Sequence, residues 1–261
     1  MKIKFHKYQG AGNDFILIDN RKGEINLNSE QIKHLCNRHF GIGSDGLILL
    51  EESDKEDFAM RFFNPDGSSG MMCGNGGRCI VSFAKELGLF EKKCSFEAPD
   101  GVHHGEIEGD MVRLQMSDTA MPTFFEDGMH LDTGTSHFVV FTDNLEGVDI
   151  CSEGRKLRFD QRFDKFGGCN VNFVKPEGKN QIAIRTYERG VEDETLACGT
   201  GITASALATS IKQKFEDGFH TIKVSARGGE LSVEFNKNKD KFSNIVLCGK
   251  GEKIFCGETT L

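Results

Sequence analysis

Proline is scarce in this chain, four residues in 261, and no Pro-rich segment marks a rigid hinge. Long apolar runs are missing too. Nothing approaches the roughly 18 consecutive apolar residues of a membrane span, and MKIKFHKYQG has no apolar stretch of signal-peptide length. A cytoplasmic protein with no membrane partner is the expectation. Nor is there an excess of positive charge. The formal net charge is −8, with both signs interspersed. That argues against nucleic acid as a partner, because phosphate binding needs a basic face. No charge block or low-complexity tract divides the chain, whose length allows one large domain or two smaller ones.

Glycine and cysteine are plentiful. Thirty-one glycines imply many tight turns. Nine cysteines, an odd number, read as thiols in a reducing compartment rather than as disulfides. Cys36, Cys94, Cys151, Cys248 and Cys256 sit in mixed sequence and read as small core hydrophobes.

Three landmarks recur in one order. A polar turn enters an apolar strand in GAGNDFILIDN from Gly10 and again in GTSHFVVFTDN from Gly134. A Phe-Gly turn follows, in HFGIGSDGLILL and KFGGCNVNFV. A cysteine then opens a helical pattern, in CGNGGRCIVSFAKELG from Cys73 and CGTGITASALATSI from Cys198. The separations are 123 between Phe15 and Phe138, 126 between Phe40 and Phe166, and 125 between Cys73 and Cys198. Three ordered landmarks at nearly one offset mean two copies of one unit. Runs such as FILID, LILLEE, AMRFF, VRLQM, HFVVF, QIAIRTY, TIKVSA and LSVEF have strand length and composition, with Gly, Asn and Asp between them. Ile80, Phe83, Ala84 and Leu87 fall at helical spacing before Gly88. The stretch after Cys198 is apolar or small almost all round, so its helix must be buried on most sides. The expected class is α+β: two pseudo-symmetric repeats, each a mostly antiparallel sheet curled around one central helix.

Both cysteines fall where a helix begins. There the first N–H groups have no intrahelical partner and the dipole end is positive, so a thiolate is stabilised and a carboxylate can be held. Other chemistries fit less well. Cys73 and Cys79 lack zinc-ligand spacing, and GNGGRC supplies neither the Gly-Lys-Ser/Thr of a phosphate loop nor a dinucleotide fingerprint. No metal site follows. A lone Cys73 would read as a buried thiol beside a helix cap; its counterpart in the second copy changes that reading. Two thiols on opposite sides of one cleft suit removal of a proton from one face of a carbon and delivery to the other. A thiol–disulfide redox couple is the chemical rival. A binding module with the same cleft and no catalysis is a third class.

Together, MCGNGGRC, YERG followed by ETLACGTG, GAGNDF, FNPDGS, and the turns carrying His137 and Asn170 resemble the diaminopimelate epimerase family over nearly the whole chain. Proline racemases and hydroxyproline epimerases are similar but usually have His where Asn75 stands. The resemblance implies epimerisation between LL- and meso-diaminopimelate without a cofactor, for lysine and peptidoglycan precursors, by a protein that is a homodimer. It implies Cys73 and Cys198 as catalytic thiols, and His137 as a group that sets their protonation. Glu188 would contact the reacting amino group and Arg189 the distal carboxylate, while Asn13, Asn64 and Asn170 would clamp the distal end. Gly74, Asn75, Gly199 and Thr200 would present N–H groups to the reacting carboxylate. A domain of 1–118 plus about 250–261, a second of 119–249 and a hinge near 117–122 complete the expectation, with the active site in the cleft between the repeats. Three departures stand out. Gly46 stands where some family members have a substrate-contacting glutamine, Thr135-Ser136 stand where Asn-Pro is often found before His137, and the Glu188–Cys198 segment is one residue longer than the commonest spacing.

Overall fold

Parallel strands that neighbour each other need a crossover, and four crossovers organise the computed structural model, which describes residues 1–261. The chain divides into two units, Met1–Leu114 with Gly249–Leu261, and Gln115–Cys248.

The first unit holds strands β1 (Lys2–Gly10) and β2 (Asn13–Asp19), helix α1 (Ser29–Cys36), strands β3 (Gly46–Glu51) and β4 (Phe58–Phe63), helix α2 (Gly74–Glu86), and strands β5 (Lys93–Ala98), β6 (Gly101–Glu108) and β7 (Met111–Gln115). β1–β2 are antiparallel, β2–β3 parallel, β3–β4 antiparallel, β4–β5 parallel, and β5–β6–β7 antiparallel. Helices α1 and α2 therefore lie on the two parallel crossovers. The β1–β2 turn is Ala11-Gly12, both at positive φ (55° and 81°), the twist a two-residue hairpin demands. Ile16, Ile18, Leu47 and Leu49 pack with Ile32, Leu35 and Cys36 of α1. On the other face Phe83 of α2 meets Tyr8, and Gly76 lies against Ile48. Both faces of β2 and β3 are thus covered. Their runs are apolar without alternation for that reason.

In the second unit, β8 (Thr119–Ala120), β9 (Thr123–Phe125), β10 (Gly128–Asp132) and β11 (Ser136–Phe141) precede helix α3 (Ile150–Arg158). Strands β12 (Asn170–Gly178), β13 (Gln181–Glu188) and β14 (Asp193–Thr195) lead to helix α4 (Gly199–Lys212), followed by β15 (Gly218–Ala226), β16 (Gly229–Lys237) and β17 (Lys241–Lys250). β10–β11 are antiparallel, β11–β12 parallel, β12–β13 antiparallel, β13–β15 parallel, and β15–β16–β17 antiparallel. This is the pairing order of the first unit repeated. β18 (Glu252–Thr260) then pairs with β1 as β9 pairs with β10. The α+β class and the two copies expected from the landmarks are what the fold contains.

Phe138, Val171, Phe173 and Tyr187 form a core with Leu145, Ile150 and Phe163 on the α3 side. Helix α4 is buried from Gly201 to Ser210. It tolerates this because Thr203, Ser205 and Thr209 donate to carbonyls four residues back, and Ser210 to one three back. Of the cysteines read as core, Cys36, Cys94 and Cys248 are buried, but Cys151 and Cys256 are exposed. Cys151 lies in the first turn of the surface helix α3, and Cys256 lies in β18, most of whose residues face solvent.

Gly154 places α3 against β13, where an added Cβ would lie 2.4 Å from Tyr187 Cβ. Gly154→Ala is expected to lower unfolding stability by about 1–3 kcal/mol in urea titrations. An unchanged midpoint would mean that α3 is not fixed by this contact.

Candidate active site

Each buried helix begins at one of the two landmark cysteines. Cys73 is the N-cap of α2, in extended conformation, and its sulfur accepts from Gly76 N–H at 3.2 Å. No acidic residue occupies the first turn, so the helix end stays positive. Asn75, buried, donates to Asn13 Oδ1 at 3.2 Å and accepts from Arg78 Nη2 at 2.9 Å. Asn13 donates in turn to Asp45 Oδ2 at 2.8 Å. Asn64 follows β4 and donates to Ser68 Oγ at 3.0 Å.

Beside this chain lies a cluster that sequence reasoning missed. Lys7 Nζ is 2.7 Å from Asp14, and Arg38 reaches Asp14 at 2.8 Å and Asp45 at 2.6 Å. Burial pushes the Asp14 carboxyl up, but the hydrogen bonds from Arg38 and Lys7 outweigh it and bring it down to about 2. The signal was the acidic residue inside GAGNDF, next to an asparagine that drew the attention.

Cys198 is the N-cap of α4, and its sulfur lies 3.4 Å from Thr200 Oγ1. Thr200 Oγ1 is 2.8 Å from His137 Nε2, and Thr133 Oγ1 donates to the Thr200 carbonyl at 2.9 Å. His137 is fully buried. Burial, with His130 and Arg189 nearby, lowers its pKa to about 3 from an ordinary 6.5, so the ring is neutral. Asn170 donates to Ser136 O at 3.1 Å and accepts from Arg189 N–H at 2.9 Å. The Arg189 guanidinium rests on the carbonyls of Phe166 and Gly168, at 3.0 and 3.2 Å. The Phe-Gly landmark of this copy thus serves as its seat. Glu188 accepts from Thr195 Oγ1 at 2.8 Å. Asn172 and Thr186, both buried, also escaped the sequence reading. Their only signal is a polar residue at an inward position of an apolar strand.

Within the first unit Asn13 bonds Asn75 beside Cys73; within the second Thr200 links His137 to Cys198 and Asn170 bonds Arg189, while Asn64 and Glu188 are held by Ser68 and Thr195. Three buried thiols elsewhere are held in the protonated form. Burial pushes those of Cys94 and Cys169 up to about 12, and that of Cys79 higher still. No group of His, Cys, Asp and Glu side chains is arranged to hold a metal ion.

The three departures have local explanations. An added Cβ at Gly46 would lie 2.6 Å from the Phe62 ring, so that ring occupies the space of the missing side chain. Thr135 Oγ1 bonds His137 Nε2 at 2.9 Å. The Glu188–Cys198 segment forms a β13–β14 hairpin whose turn carries Gly190 and Glu192 at positive φ, 94° and 58°.

The depressed pKa of His137 has a sign. The unfolded state binds a proton below about pH 6.5 that the folded state refuses until about pH 3. Stability conferred by this group is present above pH 6.5 and lost as pH falls, by about 1.4 kcal/mol per unit. Urea unfolding of wild type against His137→Gln, from pH 7 to 4, should show a shallower acid loss in the variant. Parallel slopes would contradict a buried neutral His137.

The sequence matches the family described as Diaminopimelate epimerase over residues 5–122 and 129–254. A diaminopimelate epimerase of Flavobacterium psychrophilum is 46% identical over 261 residues, covering 99% of this chain and 100% of that one. Those of Chlorobaculum tepidum and Aquifex aeolicus are 43% and 38% identical, covering 97% and 98% of this chain and 99% and 97% of theirs. Among solved structures, a Bacillus anthracis phenazine biosynthesis protein of the PhzF family superposes with TM-score 0.79 at 15% identity, covering 100% of both chains. A hydroxyproline epimerase from Agrobacterium vitis gives 0.72 at 14% identity, covering 99% of this chain and 91% of that one. These two share the fold. With its two helix-capping cysteines and relatives matched end to end, the chain belongs to the diaminopimelate epimerase family.

Proposed function

We propose that this protein interconverts LL- and meso-diaminopimelate without a cofactor, with Cys73 and Cys198 as the acid–base pair. The observation that carries the reading is their equivalence: each caps the helix that joins a parallel strand pair, β4 to β5 and β13 to β15. One sulfur, as thiolate, takes the α-proton from one face; the other, as thiol, returns a proton to the opposite face. The roles exchange in the reverse direction. The reaction requires both sulfurs to face one substrate carbon across a cleft.

An amino-acid α-proton is far less acidic than a thiol, so the site must stabilise the carbanion-like state. Helix N-termini supply this through N–H groups at Gly74, Asn75, Gly199 and Thr200, aimed at the α-carboxylate as charge develops. Each such donor is worth roughly 3–4 kcal/mol in the transition state. Arg189 would take the distal carboxylate in bidentate fashion, with Asn13, Asn64 and Asn170 at that end and Glu188 at the reacting amino group. His137, neutral and buried, reaches Cys198 through the Thr200 hydroxyl without adding charge. Closure about residues 117–122, with the first domain taken as 1–118 plus about 250–261, would exclude water from the pair. A homodimer in the cytoplasm, feeding lysine and peptidoglycan precursors, belongs to the same proposal.

In D₂O, deuterium should enter product faster than recovered substrate. Cys73→Ala and Cys198→Ala should each lower kcat by more than about 10²-fold on LL-diaminopimelate. Near-full turnover by either variant would end the two-thiol assignment. Turnover of proline or hydroxyproline in place of diaminopimelate would end the substrate assignment.

A further inference from the structure

The polar network beside Cys198 has a direction. Thr186 donates its hydroxyl hydrogen to Asn172 Oδ1 at 3.0 Å. With its carbonyl turned that way, Asn172 presents its amide nitrogen to His137 Nδ1, also at 3.0 Å. An amide NH₂ group only donates, so Nδ1 must accept and the single ring proton sits on Nε2. Nε2 faces two oxygens, Thr200 Oγ1 at 2.8 Å and Thr135 Oγ1 at 2.9 Å. Both act as acceptors toward it. The hydroxyl hydrogen of Thr200 therefore points elsewhere, and two acceptors lie in reach: Cys198 Sγ at 3.4 Å and Thr135 Oγ1 at 3.2 Å. Thr186, Asn172 and His137 are each no more than 2% exposed, so water does not compete for these bonds.

We propose that Thr200 is a positioning residue for Cys198. Its hydroxyl, oriented by His137, donates to the sulfur as thiolate and turns to Thr135 when the sulfur carries a proton. No proton leaves Thr200; one torsional rotation converts it from donor to acceptor. A hydroxyl suits a sulfur that is base in one direction and acid in the other, because it can either donate or accept. The bond to a thiolate is charge-assisted and the stronger of the two, so the net effect favours ionisation of Cys198. At the equivalent place after Cys73 stands Asn75, whose carbonyl is turned to Arg78 and whose amide is turned to Asn13. Cys73 thus meets the Gly76 N–H, and Cys198 a side-chain hydroxyl. The inference rests on Cys198 being one of the acid–base pair.

Several other titratable groups stand on the strands around this end of α4. They are His130 and Asp132 on β10, Glu188 at the end of β13 with Arg189 just after it, Glu194 on β14, Arg227 in the β15–β16 turn and Glu230 on β16. They are common to all variants compared below, and only the Thr200 hydroxyl changes.

The test is the pH profile of Cys198 alkylation by iodoacetamide in the reduced full chain, read by peptide mass spectrometry. Thr200→Val should move the midpoint up by about one pH unit, roughly tenfold slower alkylation at neutral pH. Thr200→Ser should restore the wild-type midpoint. A Thr200→Val profile that coincides with wild type overturns the proposal. A measurement on the unaltered protein guards against misfolding of the variant: ¹⁵N-histidine NMR should show His137 protonated at Nε2, and protonation at Nδ1 overturns the proposal outright. Failure of the two-thiol reading would appear separately, as turnover retained by Cys198→Ala whatever the alkylation profiles show.

Discussion

Neighbouring parallel strands cannot be joined by a tight turn, and that constraint shapes both halves of this protein. Each copy contains two parallel pairs and hence two crossovers. The first crossover carries a surface helix that covers one face of the sheet. The second carries a buried helix against the other face, beginning at Gly74 in one copy and Gly199 in the other. A cysteine at that beginning meets N–H groups that the helix itself leaves unpaired. Cys73 and Cys198 thus hold equivalent places in the connectivity.

Burying such a helix has a second consequence. Its side chains must be apolar, small or internally satisfied. Helix α4 solves this with hydroxyls bonded back to its own carbonyls. Helix α2 solves it with glycines and with Arg78, fully buried, which donates to Gly74 O and to Lys250 O in the returning β17. The glycines of CGNGGRC serve packing as well as ligand access: an added Cβ at Gly77 would lie 2.8 Å from Leu114.

The copies have diverged at the residue before each landmark phenylalanine. Asp14 and His137 each precede the landmark phenylalanine of their strand, Phe15 and Phe138. One anchors an ion-pair cluster with Lys7 and Arg38; the other anchors a neutral network with Thr135, Asn172 and Thr200. Charges brought partly out of water are tolerated in the first only because each has a partner within hydrogen-bond distance. In the second, the same position is kept uncharged by desolvation. A shared backbone plan thus supports two different electrostatic settings at one equivalent position.

Sequence by itself determined the class, the duplication, most of the strands and the two helix-capping cysteines, because all of these follow from local period and repeated order. It also contained the capping box of α1, Asn28 with Gln31, which the apolar landmarks overshadowed. Tertiary structure alone decided which polar residues bond to which. Asn170 reads as a turn residue, yet it joins the β11 and β13 ends through Ser136 and Arg189. Gly46 reads as a lost contact until Phe62 is found over it. Asn172 and Thr186 lie 14 residues apart on paired strands, and their role depends on the face and register that the pairing sets. Periodicity tells which way a side chain points; only the folded sheet tells what it meets there.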